Sequence, residues 1–366
     1  MSATATGELP GFSMVMTCYN VGRFVREAIL SCLAQDYAGP LELIIVQDCP
    51  KDDTPRVIAD TLAGYGGPVP VTVLEHKRNR GVSGATDTGW AAARHPWIIM
   101  VDGDDIQLPD RCSKTARVIA DNPGLAMIIM SAQKFSDENP DLGILRYCAD
   151  YYKAEDVPAL KLLESPKDRA DNYLHHGNNP RLNGYGCTMA FCRELYGQWG
   201  NLCRGWDEDG QFAQDPAWEL RAFLGHKVCG SLELACRYRL HESNIFSRKE
   251  SFTYAGLLAK ERADARYAAF RVRTLRRMLE DLERARAEGL TDWSAADLDG
   301  LVDFLMRKLH GCLLRADWWS VSLVERIRRI RLHKQKADFL VGKWALPRLL
   351  PLHLYALLAR WQNRKP

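Results

Sequence analysis

Apolar and polar positions along the first third of the chain follow two alternating periods. Ser13–Thr17, Leu41–Val46, Val69–Glu75 and Trp97–Val101 are short apolar runs rich in Ile, Val, Leu and Met, as expected of strands covered on both faces. Between them, Val21–Gln35 carries Phe24, Val25, Ala28, Ile29 and Leu33 at helical spacing. Thr54–Ala63 follows a polar loop, and Gly81–Arg94 is a Gly- and Ala-rich stretch of helical character. Strand and helix in regular alternation predict an α/β fold with a parallel, doubly wound sheet. From Ala126 to Ser247 the pattern loosens: a strand at Ala126–Ser131, short helices, and Gly-rich loops at Gly177–Gly186 and Gly205–Gly210. Beyond Arg248 it turns helical, with helices expected at Leu257–Glu288, Ala295–Leu314 and Ser320–Lys336. We therefore expect three regions, residues 1–125, 126–247 and 248–366, with no internal repeat.

Composition narrows the class. An apolar content of 46% over 366 residues is that of a globular protein. The 11 cysteines form no Cys-x-x-Cys pair, which suits a reducing compartment better than a disulfide framework or a zinc site. Met1–Pro10 lacks the basic start and apolar stretch of a signal peptide, and no run approaches the ~18 apolar residues of a membrane span. Charge is distributed unevenly. Arg326–Pro366 holds eleven Lys and Arg against one acid, Asp338, so its balance is +10, leaving −7 on the rest of a chain whose total is +3. Within it, residues 343–366 mix Trp344, Tyr355, Trp361 and many Leu with basic residues, which suits an anionic membrane surface or packing on the protein body. An acidic catalytic half argues against a nucleic-acid partner.

The candidate chemistry lies at strand ends. Trp97–Val101 runs straight into Asp102, Asp104 and Asp105, and in open α/β sheets ligands bind outside the carboxyl ends of the strands. Asp-x-Asp presents two carboxylates to a hard cation, Mg²⁺ or Mn²⁺, that keeps room for substrate phosphates. A calcium loop starting at Asp102 is excluded, because its sixth position is Gln107 and its twelfth is Ser113. Thr17 and Tyr19, at the first strand's tip, can hydrogen-bond and stack on a base. Asp48, at the second strand's tip, can accept from the imide N–H of uracil or thymine. Arg80 offers a cation to a diphosphate, and Gly81 and Gly84 serve either a phosphate loop or a helix start.

Four segments in this order, Met14–Asn20, Ile44–Thr54, Asn79–Ala85 and Met100–Asp105, resemble the inverting glycosyltransferases of the GT-A fold, family 2, over roughly Ser13–Ser247. The resemblance implies a Rossmann-like mixed sheet flanked by helices, a nucleoside diphosphate sugar donor (UDP or TDP) and a saccharide or glycolipid acceptor. By it, Thr17, Tyr19, Asn20, Asp48, Arg80, Ser83, Asp102 and Gly103 bind the nucleotide. Asp104, Asp102 and His241 hold the metal. Trp206–Arg221 resembles the family's base-bearing helix start, which makes Asp215 the general base. Asp215 as N-cap and Pro216 as first helical residue also read as plain capping, and Asp207, Glu208 and Asp209 are rival acids. Tyr238–Ser247 resembles the segment closing over the diphosphate, where Arg239 and His241 contact phosphate or metal; His175 and His176 lie in a Gly- and Asn-rich loop that either touches the acceptor or is simply polar surface. Three positions depart from the family: Gln47 and Gln214 stand for acids, and Asp87 for Asn. Such an enzyme serves cell-envelope polysaccharide biosynthesis in the cytoplasm, peripheral to the membrane's inner face. Competing functions are a sugar-1-phosphate nucleotidyltransferase, whose Gly-rich amino-terminal loop is replaced here by Thr-Cys-Tyr-Asn, and a GT-A scaffold without turnover.

Overall fold

The computed structural model describes residues 8–148, 153–174, 182, 184–206, 210–242, 244, 254–333, 345 and 347–349. Ten strands are described: β1 Phe12–Cys18, β2 Leu41–Gln47, β3 Val71–Glu75, β4 Trp97–Asp102, β5 Ile106–Gln107, β6 Leu125–Phe135, β7 Ile144–Leu145, β8 Leu160–Leu163, β9 Met189–Cys192 and β10 Lys227–Arg239. The α-helices are α1 Val25–Leu33, α2 Thr54–Leu62, α3 Gly81–Ala92, α4 Arg111–Asp121, α5 Pro166–Leu174, α6 Arg193–Trp199, α7 Gln214–Gly225, α8 Tyr254–Glu288, α9 Ala295–Arg315 and α10 Leu323–His333.

All strands join one mixed sheet, whose path runs β3-β2-β1-β4-β9-β6-β10-β5, with β7 on β6 and β8 on β10. The first four strands of that path are parallel, as the alternation of strand and helix requires. β9 then enters antiparallel between β4 and β6, which makes the sheet mixed rather than fully parallel. β2 is buried along nearly its whole length, so its one acid needs partners. Glu42 has them: it accepts from Ser13 Oγ (2.6 Å) and from Arg94 N and Nε (2.8 and 2.9 Å).

The chain forms two compact units. One comprises residues up to Leu240 with Gly289–Ser294; the other comprises His241–Glu288 with the described residues from Ala295 onward. Gly289–Ser294 is fastened to the sheet unit by Asp292, which pairs with the buried Arg169, and by Trp293 Nε1, which donates to Phe223 O (3.0 Å). In the second unit α8 packs along α9, with Ala265, Ala268, Val272 and Leu275 of α8 buried. Of residues 343–366, four are described. Ala345 is buried with Leu314 and Trp318, and Arg348 Nε and Nη2 donate to Glu261 (3.0 and 2.7 Å), so these residues pack on their own unit. Among the described residues, no helix is long and apolar enough to cross a membrane.

Candidate active site

Register places the candidate residues level with one another. Thr17 is paired with Val46 on one side and with Asp102 on the other, so the carboxyl ends of β1, β2 and β4 share one edge. Tyr19, 46% exposed, stands at that edge where a flat ligand can stack on it. Asn20 and Cys49 adopt left-handed φ values of 55° and 54°, and Asn20 Oδ1 accepts from Lys51 N at 2.6 Å, tying the β1 and β2 loops together. Asp48 is buried; its Oδ1 accepts from Arg80 N (2.7 Å) and contacts His76 Nδ1 (2.7 Å), while His76 Nε2 reaches Thr88 Oγ1 (2.9 Å). His76 follows β3 directly, and nothing in its sequence neighbourhood marks it as the partner of Asp48. Arg80 lies beside this cluster, with Nη1 donating to Thr88 Oγ1 at 3.1 Å.

Two expected nucleotide ligands also have packing roles. Ser83 is fully buried, and its hydroxyl donates to Phe212 O at 2.7 Å. Gly103 donates its N–H to Thr17 O (3.2 Å), and a Cβ on it would lie 2.9 Å from Cys18 Sγ, so this position is glycine because β1 and the β4 tip approach closely. Arg239 is reassigned. It is buried, its backbone N–H donates to Asp105 Oδ1 (2.8 Å), and its guanidinium donates to Asp104 O (3.0 Å), Asp137 Oδ1 (2.7 Å) and Glu27. A guanidinium with these partners fixes the acidic loop from behind rather than reaching for phosphate.

The acidic cluster gains a member distant in sequence. Burial, then the charges of Asp104 and Asp215, push the Asp102 carboxyl up to about 7, against a lowering influence from Arg111. Asp215, 113 positions after Asp102, is therefore within electrostatic reach of the β4 tip. Asp105 faces inward and is raised well above its ordinary value by burial and by Asp104. Hard divalent cations prefer several oxygen ligands, and the partly buried carboxylates of Asp102 and Asp104, held together against their own repulsion, fit such an ion.

The route by which Asp215 reaches the cluster is visible in the backbone. Gly210 N donates to Arg80 O (2.7 Å), Ser83 N to Gly210 O (3.2 Å), and Gln211 Nε2 to Asn79 Oδ1 (2.5 Å). Gly81 has φ +73°, and a Cβ there would lie 2.4 Å from Gly210 O; one on Gly210 would lie 2.0 Å from Gly84 N. These glycines let backbone meet backbone, so the Asn79–Ala85 motif seats the segment that launches α7. Ala213 is extended and caps α7, which places Asp215 second and Pro216 third in the helix. The reading of Asp215 as N-cap is thus corrected: a first-turn proline costs no hydrogen bond, so the helix extends two residues further than the Asp-Pro pair suggests. Trp218 on α7 stacks on Trp90 of α3 (4.1 Å between centroids), with Arg221 over Trp218 at 4.7 Å. Asp87, where the family commonly has Asn, accepts from Leu202 N and Cys203 N (2.7 and 2.9 Å) and so anchors the chain that leads to α7.

His241 begins the second unit, where its N–H donates to Asn244 Oδ1 (2.6 Å). His175, His176, Asp207, Glu208 and Asp209 lie outside the described residues.

Two substitutions test this geometry. Gly81→Ala must strain a left-handed backbone and push on Gly210; it should destabilise the protein by ~2 kcal/mol, lowering the melting temperature by roughly 4–8 °C. Unchanged melting would remove the close approach from the account. Asp102→Asn should act in the opposite direction, with a pH signature. Because the folded protein raises this carboxyl to about 7 from 3.8, its ionisation opposes folding, by little near pH 4 and fully above pH 7. Thermal scans in chelator should therefore show variant and wild type nearly alike at pH 3.5 and the variant a few degrees more stable at pH 8. A gain confined to low pH would reverse the assignment.

Comparison with known proteins agrees with this architecture. The sequence profile "Glycosyl transferase family 2" matches residues 13–196, which spans the strand tips but stops before α7. EpsH of Bacillus subtilis, a glycosyltransferase by name, is 30% identical over 261 residues, covering 71% of this chain and 70% of its own. The succinoglycan biosynthesis protein ExoO of Rhizobium meliloti is 37% identical over 112 residues, 30% of either chain. The chain spans only 38% and 30% of the length of the first curated relatives it matches. Among solved structures, TarS 1–349 of S. aureus in complex with UDP-GlcNAc superposes with a TM-score of 0.54 at 15% identity, over 96% of this chain and 89% of that one, a likeness of fold. The fold is thus that of the GT-A glycosyltransferases, and with its profile match across half its length the chain belongs to glycosyltransferase family 2.

Proposed function

We propose that the protein is an inverting glycosyltransferase that moves a sugar from a nucleoside diphosphate donor to a saccharide or lipid-linked acceptor. What supports this reading is that Asp215, on a separate helix, lies within electrostatic reach of Asp102 at the acidic tip of β4. A metal clamp alone would need only Asp102 and Asp104; an additional carboxylate beside it suits the base that single displacement requires. In this mechanism Asp215 takes the proton of the acceptor hydroxyl as its oxygen attacks C1. The bond from C1 to the diphosphate oxygen breaks on the opposite face, with an oxocarbenium-like transition state. Asp104 and Asp102 would hold Mg²⁺ or Mn²⁺, which when bound would supply positive charge to offset that of the leaving diphosphate. Tyr19 stacks on the base, Thr17 and Asn20 line its edge, and Asp48, fixed by His76 and Arg80 N, offers its second oxygen to an imide N–H; UDP or TDP is then the donor nucleotide. Arg80, at the start of α3, stands on the diphosphate side of Asp48.

The similarity to ExoO supports a polysaccharide product. The first test is calorimetric titration with UDP, TDP and GDP, each with and without Mn²⁺. Metal-dependent binding of one nucleotide is expected, after which donor sugars of that nucleotide are screened and the anomer of the product is read by NMR. Retention of the donor anomer would refute single displacement, and no binding to any nucleotide would favour the scaffold reading.

A further inference from the structure

Next to the acidic tip, the fold gathers three donors from distant parts of the chain. Asp105 follows β4, Cys187 lies in the 3₁₀ turn Gly186–Thr188, and Cys236 lies on β10 opposite Gln107. One carboxylate oxygen and both sulfurs lie within 4.8 Å of one another. All three residues are at most 1% exposed. Asp105 Oδ1 is satisfied by Arg239 N, but Asp105 Oδ2 is buried with no hydrogen-bond partner among the described residues. An orphaned buried carboxylate oxygen beside two thiols is costly unless something binds it. The β10–β6 pairing shifts register between Leu234 and Cys236, and such irregularities re-aim side chains near functional sites.

We propose that Asp105, Cys187 and Cys236 form a second metal site, distinct in chemistry from the oxygen-only pair Asp102 and Asp104, that takes a thiophilic divalent ion, Zn²⁺. Two thiolates and a carboxylate are a zinc donor set, and Zn–S bonds of ~2.3 Å place tetrahedral sulfurs roughly 3.8 Å apart, a contraction of about 1 Å at most from the observed grouping. On binding, each donor that carries a proton gives it to solvent, leaving two thiolates, one carboxylate and one net negative charge on the filled site. Arg111 supplies the balancing positive charge: it is fully buried, its Nη1 donates to Cys187 O and its Nη2 to Met189 O (3.0 Å). The filled site would pin the β4 loop, the 3₁₀ turn and β10 to one another, and so stiffen the acidic tip. The inference does not depend on glycosyl transfer.

The test uses the full chain, refolded with and without Zn²⁺ because the donors are buried, then dialysed against Mg²⁺ and Mn²⁺. We expect one retained equivalent of zinc, two sulfur neighbours at ~2.3 Å in its X-ray absorption spectrum, and a higher melting temperature than the zinc-free protein. Asp104→Ala should retain that zinc, and Cys187→Ser/Cys236→Ser should not. Should the double variant fail to fold, the absorption spectrum of the wild type still decides. No retained zinc, zinc bound by oxygen and nitrogen alone, zinc retained in the double variant, or a Cys187–Cys236 disulfide in the freshly refolded protein would each overturn the proposal.

Discussion

Asp104→Ala should lose metal-dependent nucleotide binding altogether, with affinity for the cognate nucleoside diphosphate in Mn²⁺ falling at least ~100-fold, about 3 kcal/mol. The size follows from electrostatics. Asp102, Asp104 and Asp215 are near enough that two of them help hold the third up to about 7, so the empty site repels a diphosphate. Affinity then depends on a cation that reverses the sign of the field, and removing one of its two carboxylates removes most of its hold. The same substitution relieves the repulsion on Asp102. The variant should therefore melt at or above the wild-type temperature in chelator, which separates lost binding from lost folding. If calorimetry with Mn²⁺ finds the variant's nucleotide affinity within threefold of wild type, the cation is held elsewhere or is not needed.

How much of this was legible in the sequence depends on the range of the determining contacts. The parallel half was legible because its signals are local: β2, apart from Glu42, and β4 are apolar runs, and the helices between them keep one apolar face. Strand and helix ends shifted by a few residues, as at β3, which begins at Val71 rather than Val69. In the other half only β6 was legible, expected at Ala126–Ser131 and found at Leu125–Phe135; the remaining strands owe their places to distant partners. β9 is four residues long and is defined by its two antiparallel neighbours, and β10 interrupts its apolar positions where its register shifts. Among candidate ligands, the residue types at the strand tips were readable but their assignments were not. Gly81 and Gly84 fit a phosphate loop as well as a close backbone contact, and only Gly210, more than a hundred residues later, decides between them. Ser83 and Arg239 likewise look like ligands until Phe212 O and the Glu27–Asp137 pair claim them.

Asp215→Asn is the sharper test of mechanism, because it changes a proton acceptor and almost no volume. Transfer should fall by ~10²–10⁴ in kcat, the usual contribution of a positioned general base, while nucleotide affinity with Mn²⁺ stays within about twofold. Affinity could only tighten, since removing this charge lightens the load on Asp102 and lets it ionise for the cation at lower pH. The pH profile discriminates a base from a residue that merely positions α7. Wild-type kcat/KM should fall on the acid side as the base takes up a proton, and the residual activity of the variant should lack that limb. The helix itself is held by the Trp90–Trp218 stack and by Gly210 packed against α3, neither of which the substitution touches, so the variant should melt at or above the wild-type temperature in chelator. Wild-type transfer by Asp215→Asn on its native acceptor would move the base to another acid, with Asp207, Glu208 and Asp209 the next to replace. Lost transfer together with lost nucleotide binding would instead make Asp215 a part of the donor site, and the argument from its separate helix would no longer point to single displacement.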